Sequence, residues 1–187
     1  MKGVRSFGII LATLTALGGL AAASHAQTQQ KSVSALKGHN SNAPVDVTAD
    51  RIEVQDRADR ALFVGNVRAT QAELSLETPR LTIAYSGGPQ GSGGPKIHRL
   101  DAAGGVVVRS PSETARGDFG IYDLDKKLIT LIGNVQLNRQ QNQVSGARLV
   151  IDLESGRAVV DGGPPGVNSS GGRVTGHFTV PQKQQQK

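Results

Sequence analysis

Ala61-Leu-Phe-Val-Gly-Asn-Val67 returns 68 positions later as Ile129-Thr-Leu-Ile-Gly-Asn-Val135, with alternating polar and apolar residues around both copies. A chain that carries this unit twice has two equivalent apolar faces to bury. A lone hairpin cannot stabilise such a face in water, so the two units must stack or curl against each other. Asn and Gly tolerate positive φ, and β-branched residues suit a pleated, half-buried surface, so each copy reads as a β-hairpin with its turn at Gly-Asn. Arg80-Leu-Thr-Ile83 follows Val67 by 13 residues, and Arg148-Leu-Val-Ile151 follows Val135 by the same distance. Turn, outgoing strand and returning strand therefore recur in register. The expected product is a rolled sheet with open ends, whose terminal strands offer unpaired backbone groups as docking edges for another sheet.

The first 26 residues belong to a different kind of segment. Lys2 and Arg5 give a basic start, Phe7 to Leu20 is an apolar run, and Ser24-His25-Ala26 places small residues where a signal peptidase reads. The run is interrupted by Thr13, Thr15, Gly18 and Gly19, and falls short of the roughly 20 apolar residues of a spanning helix. Residues 1–26 are thus expected to be a cleaved secretory signal. No Cys follows the site or occurs anywhere in the chain, so neither a lipid-modified cysteine nor a disulfide can contribute. The fold must hold by burial and backbone pairing, for which the 161 residues left of 187 suffice as one domain.

The formal charge of +6 invites a polyanion partner, but its distribution removes the argument. Six of the 21 basic residues (Lys2, Arg5, Lys31, Lys37, Lys183 and Lys187) lie outside residues 45–180, leaving 15 against the 15 acidic ones. The folded region is formally neutral. Beyond the leader the aromatics are Phe63, Tyr85, Phe119, Tyr122 and Phe178, with no Trp, too few for base-stacking platforms. No nucleic acid is expected as a partner.

Residues 27–43 are polar and without periodicity, which predicts a flexible lead-in. From Pro44 the chain alternates: Val45 and Val47; Ile52 and Val54; Phe63, Val67 and Ala69; Leu74 and Leu76; Leu81, Ile83 and Tyr85. Ser86 to Pro95, rich in Gly and Pro, cannot be a strand interior and reads as a loop. It lacks the Lys-Ser/Thr ending and following helix of a phosphate-cradling loop. Alternation resumes at Ile97 and runs through Val106 to Val108, Phe119 to Leu124, Leu128 to Leu137 and Val144 to Leu153. A second Gly-Pro break follows at 162–172, then a last strand near 173–180 and a polar tail at 182–187. Helical periodicity is absent, so the reading is an all-β meander of short strands separated by turns.

Catalysis finds little to work with. His39, His98 and His177 stand without the spacing of a zinc site or a triad. Asp123 with Asp125, and Asp152 with Glu154, put two carboxylates on one strand face, but salt bridges to Lys126, Lys127 and Arg148 are the commoner use of such pairs. No catalytic residue, metal site or cofactor is expected.

The order of motifs resembles one family. Ala49-Asp50, Gly65-Asn-Val-x-x-Thr-Gln71, the Gly-rich break before Asp101, Gly117-x-x-x-x-Tyr-x-Leu124, Leu131-x-Gly-Asn-Val135, Gly146-x-x-Leu149 and Arg173-Val174 before Pro181 are similar to the OstA-like family. The similarity spans about Pro44 to Pro181. It implies a twisted antiparallel β-jellyroll, open at both ends, whose apolar groove shields the acyl chains of lipopolysaccharide in the periplasm. It also implies docking to LptC at the inner membrane and to the N-terminal β domain of LptD at the outer membrane, and head-to-tail homo-oligomers. The lining that the resemblance implies is Val45, Val47, Val54, Phe63, Val67, Ala69, Leu74, Leu76, Tyr122, Leu124, Val135, Leu137, Leu149 and Ile151. Alternation reports an inward face and leaves open whether protein or lipid fills it. The Gly-Pro segments look longer than the family's usual connections and leave the register of the last strand open. Two alternatives stand beside this reading: a membrane-anchored LptC-like relative, and a secreted carbohydrate-active enzyme on a β scaffold.

Overall fold

A computed structural model describes residues 36, 39–87, 94–163 and 172–179. The expected leader at 1–26, the tail at 182–187 and the middles of both Gly-Pro segments lie outside the described residues. The strands are β1 (Asp46–Thr48), β2 (Arg51–Gln55), β3 (Arg60–Gln71), β4 (Leu74–Ser86), β5 (Lys96–Arg109), β6 (Glu113–Asp123), β7 (Leu128–Arg139), β8 (Asn142–Asp152), β9 (Arg157–Asp161) and β10 (Thr175–His177). A single 3₁₀ turn at Asp56–Ala58 separates β2 from β3. All strands are antiparallel neighbours in one sheet, in the order β1-β3-β4-β5-β6-β7-β8-β10. β2 continues the β1 edge along β3, and β9 continues the β10 edge along β8. The last strand is therefore in register with β8, Thr175 lying opposite Ser145.

The Gly-Asn pairs are not hairpin turns, which corrects the reading of the repeat. Gly65 and Asn66 (φ 81° and 46°), like Gly133 and Asn134 (80° and 45°), sit within β3 and β7. The pairing skips there, between Val64 and Val67 in one copy and between Ile132 and Val135 in the other. These are β-bulges, in which positive φ re-aims the strand without ending it. The turns themselves fall later, at Ala72 (φ 48°) and Gln140 (φ 54°). The 68-residue offset is nevertheless kept in space: Val64 pairs Arg80 as Ile132 pairs Arg148.

Bulges also interrupt β4 against β5 at Glu77/Arg80, β5 against β6 at Ala103/Val106, and β6 against β7 at Arg116/Phe119. They line up across the sheet, so several expected short strands are halves of long bent ones. β4 runs unbroken through Thr78-Pro79, and β5 through Gly104-Gly105. The bend folds the sheet on itself. Tyr122 on β6 donates a 2.8 Å hydrogen bond to the Oε1 of Gln71 on β3, whereas these strands, three places apart, would be about 14 Å apart in a flat sheet. Between the two halves lies the core, in which Leu81, Leu131 and Leu149 are completely buried. The architecture is the all-β twisted jellyroll.

The end of the lead-in is held rather than loose. Residues 39–43 form successive turns (Ser41 N–H to His39 C=O, 3.0 Å; Ala43 N–H to Asn40 C=O, 3.0 Å), and Leu36 is 2% exposed in the core cluster. A polar segment without periodicity is ordered here because Gln71 supplies its hydrogen bonds.

Candidate functional site

The inner face of the sheet is sealed in its middle and open at its first edge. Directly opposed residues of paired strands share a face, so Ile52 opposite Phe63, and Val54 opposite Ala61, point inward. Phe63 is 9% exposed, yet Ile52 and Val54 are 54% and 61% exposed. Nothing among the described residues covers the inward side of β2. Beside it lies an apolar recess of about 420 Å³ lined by Val45, Val47, Val54, Phe63, Ile83 and Ile97, together with Ala61 and Tyr85. Its volume falls in the roughly 300–1,000 Å³ range of small-molecule sites. Deeper in, Ala69, Leu74, Leu76, Tyr122 and Leu131 surround a void of only about 20 Å³, space for about one water. Val45 borders both cavities, so a single side chain stands between the recess and the inner void.

The fourteen expected lining residues thus divide. Val45, Val47, Val54 and Phe63 face the open recess. Ala69, Leu74, Leu76 and Tyr122 line the inner void. Val67, Val135, Leu137, Leu149 and Ile151 are buried in the same cluster, and Leu124 is half-buried against it. Sequence reasoning left out Ala61, Ile83, Tyr85 and Ile97 from the recess and Ile52 from its rim. The period-two run through Leu81, Ile83 and Tyr85 carried the signal for two of them. Phe63 is inward although Leu62 and Val64 flank it with apolar side chains, both of them half-buried.

One polar cluster lies inside this apolar setting. Gln71 is 4% exposed, and its amide is fully used: Nε2 donates to the carbonyls of Ser41 (3.0 Å) and Ala43 (2.9 Å). Its Oε1 accepts from the Tyr122 hydroxyl and lies 3.1 Å from His39 Nε2. Burial pushes the Tyr122 phenol above its usual value, keeping it neutral as a donor.

The structure also assembles a constellation that spacing did not reveal. Ser86 Oγ lies 2.6 Å from His98 Nε2, and His98 Nδ1 lies 2.6 Å from Asp125 Oδ2. The His98 and Asp125 side chains are 33% and 48% exposed, and Lys96 takes the second Asp125 oxygen at 3.0 Å. Those hydrogen bonds from His98 and Lys96 hold the Asp125 carboxyl below its usual value. In open solvent this network joins the root of the Gly-Pro segment to the β6–β7 turn, tying the rim of the recess. The other members of the two acidic pairs, Asp123 and Asp152 with Glu154, are occupied as well. Asp123 accepts the Lys126 backbone N–H, Asp152 accepts those of Glu154 and Ser155, and Glu154 pairs with Lys127. Among the described residues no group of three or more acidic, His or Cys side chains is arranged to hold a metal ion.

Residues 46–157 match the family described as "LptA/(LptD N-terminal domain) LPS transport protein". An uncharacterized protein of Rhizobium meliloti (strain 1021) is 30% identical over 158 residues, covering 83% of this chain and 81% of that protein. Among solved structures, the fold is similar to LptH of Pseudomonas aeruginosa, described as the LptA homologous periplasmic component of the conserved lipopolysaccharide transport device. That similarity has a TM-score of 0.66 at 17% identity, over 76% of this chain and 99% of the LptH chain.

Proposed function

Because the chain belongs to the LptA/LptD N-terminal-domain family of lipopolysaccharide transport proteins, we propose that it is a periplasmic carrier of the LptA kind. In this reading it shields the acyl chains of lipid A in the inner-face groove and passes lipopolysaccharide from the inner toward the outer membrane. The observation that carries it is the uncovered inward face of β2 beside an apolar recess whose wall includes Phe63 and Ile83 of the core. Each CH₂ group moved from water into such a surface contributes about 0.8 kcal/mol. That attraction has no direction, so a chain can slide along the groove, and the direction of transport must be imposed by an energy source elsewhere.

The same reading supplies the partners. Among the described residues the β1/β2 and β9/β10 edges have no strand on their outer side, which suits addition of a strand from LptC, from the LptD N-terminal domain or from another copy of this chain. No chemistry on the lipid is required.

Direct binding tests it. A photo-crosslinker replacing Val47 in the recess should capture lipopolysaccharide, and one replacing Lys126, whose side chain is 72% exposed, should not. Equal capture at both positions, or none in a folded sample, overturns the proposal.

A further inference from the structure

We infer that Leu36 and residues 39–43 belong to a strap that is seated in the core between the two halves of the sheet in the free protein and withdraws when acyl chains enter. This rests on the carrier reading above. Leu36 is 2% exposed within the apolar cluster that contains Phe63, Leu76 and Tyr122. Its carbonyl accepts the His39 N–H at 3.1 Å, a local contact and not a pairing with the sheet. Two residues after Ala43 comes Val45, the side chain that borders both the open recess and the inner void. The strap therefore leads straight into the groove wall.

Its attachment is concentrated. Gln71 Nε2 holds the Ser41 and Ala43 carbonyls, while Gln71 Oε1 is held by Tyr122 and faces His39. Gln71 stands on β3 and Tyr122 on β6, so one amide joins the strap to both halves of the folded sheet. Spreading of the two halves by an incoming chain would lengthen the Tyr122–Gln71 hydrogen bond and weaken the hold on the strap. The strap's own polar groups lose little on release, since its carbonyls pass to water. A single leucine also presents far less apolar surface to the core than an acyl chain does. Ligand and strap thus compete, and the apparent affinity for lipid is reduced by the fraction of molecules with the strap seated.

Thiol labelling reads the strap directly, because the chain contains no Cys. In Leu36→Cys, maleimide should react at least tenfold more slowly than in Lys126→Cys, and at least tenfold faster once lipopolysaccharide saturates the protein. Adding Gln71→Leu to Leu36→Cys should speed labelling without any lipid. Should Leu36→Cys weaken the fold, the nearly isosteric Ser41→Cys reports the same seat. Fast labelling of the free, folded protein overturns the inference. So does an unchanged rate in a sample where the Val47 crosslink shows lipid bound, and in that case the carrier reading survives. Loss of the Val47 crosslink overturns both.

Discussion

Asn134 donates a 2.8 Å hydrogen bond to the Asp118 carboxylate, and Asn66 repeats it on Asp50 at 2.9 Å, each acid lying 16 residues before its amide. Asp50 and Asp118 are themselves 68 residues apart, so the repeat includes the acid as well as the bulge it clamps. At Gly133 and Gly65 an added Cβ would run into that carboxylate, at a backbone φ that already disfavours one. Gly133→Ala and Gly65→Ala should each cost about 1–3 kcal/mol. Urea unfolding checks this, with the midpoint lowered at unchanged slope. Asn134→Gly keeps the accessible φ and should cost about 1 kcal/mol, the net value of its hydrogen bond.

Core and groove separate on substitution. Leu149 is completely buried, and Leu149→Asp would enclose a charge with no partner, so the protein should fail to fold. Leu149→Ala should cost about 2–5 kcal/mol. Val47 lines the open recess and is only partly buried, so Val47→Asp should leave the unfolding midpoint nearly unchanged and lower lipopolysaccharide binding. Circular dichroism melts and a binding titration on the same samples distinguish the two outcomes.

Much of this was legible in the sequence. The period-two alternation gave the inward face, because a strand's geometry projects onto sequence without further information. The bulges were not recognisable, because Gly-Asn satisfies both a turn and a positive-φ bulge, and only the cross-strand partner decides between them. Asp118 carries that decision from the neighbouring β6, and Asp50 from the link between β1 and β2. The strap was hidden for a related reason: a polar segment becomes ordered only when a distant Gln71 meets its carbonyls. The Ser86–His98–Asp125 network likewise joins three elements and has no local pattern.

Stability should fall at both extremes of pH. Hydrogen bonds hold Asp125 (from His98 and Lys96), Asp123 (from the Lys126 N–H), Asp152 (from Ser155) and Asp161 (from Arg148) below the ordinary value of 3.8. The unfolded chain therefore takes up protons first as the pH drops. This contribution is present above about pH 4 and is lost as pH falls through the folded values. Tyr122 has the opposite sign. Burial raises it above 10, so its contribution is complete below pH 10 and is lost as pH rises through the folded value. Urea midpoints from pH 2 to 11 should show a plateau with two declines, and Tyr122→Phe should flatten the alkaline one.

Ile52 and Val54 are exposed on the inner face, and they stand on an edge strand. Natural edges are commonly protected by charge or by proline, yet this one presents two aliphatic side chains to water beside the recess. A second copy that added its β9/β10 edge would cover them and carry the apolar face onward without a gap. End-to-end oligomers should therefore grow with concentration in sedimentation velocity. Val54→Lys puts an ammonium on the edge without touching the buried core, so it should shift the profile toward monomer while the thermal unfolding midpoint stays the same. A wild-type profile that remains monomeric at high concentration removes this edge as a docking surface, and an oligomer unaffected by Val54→Lys places the contact on another face.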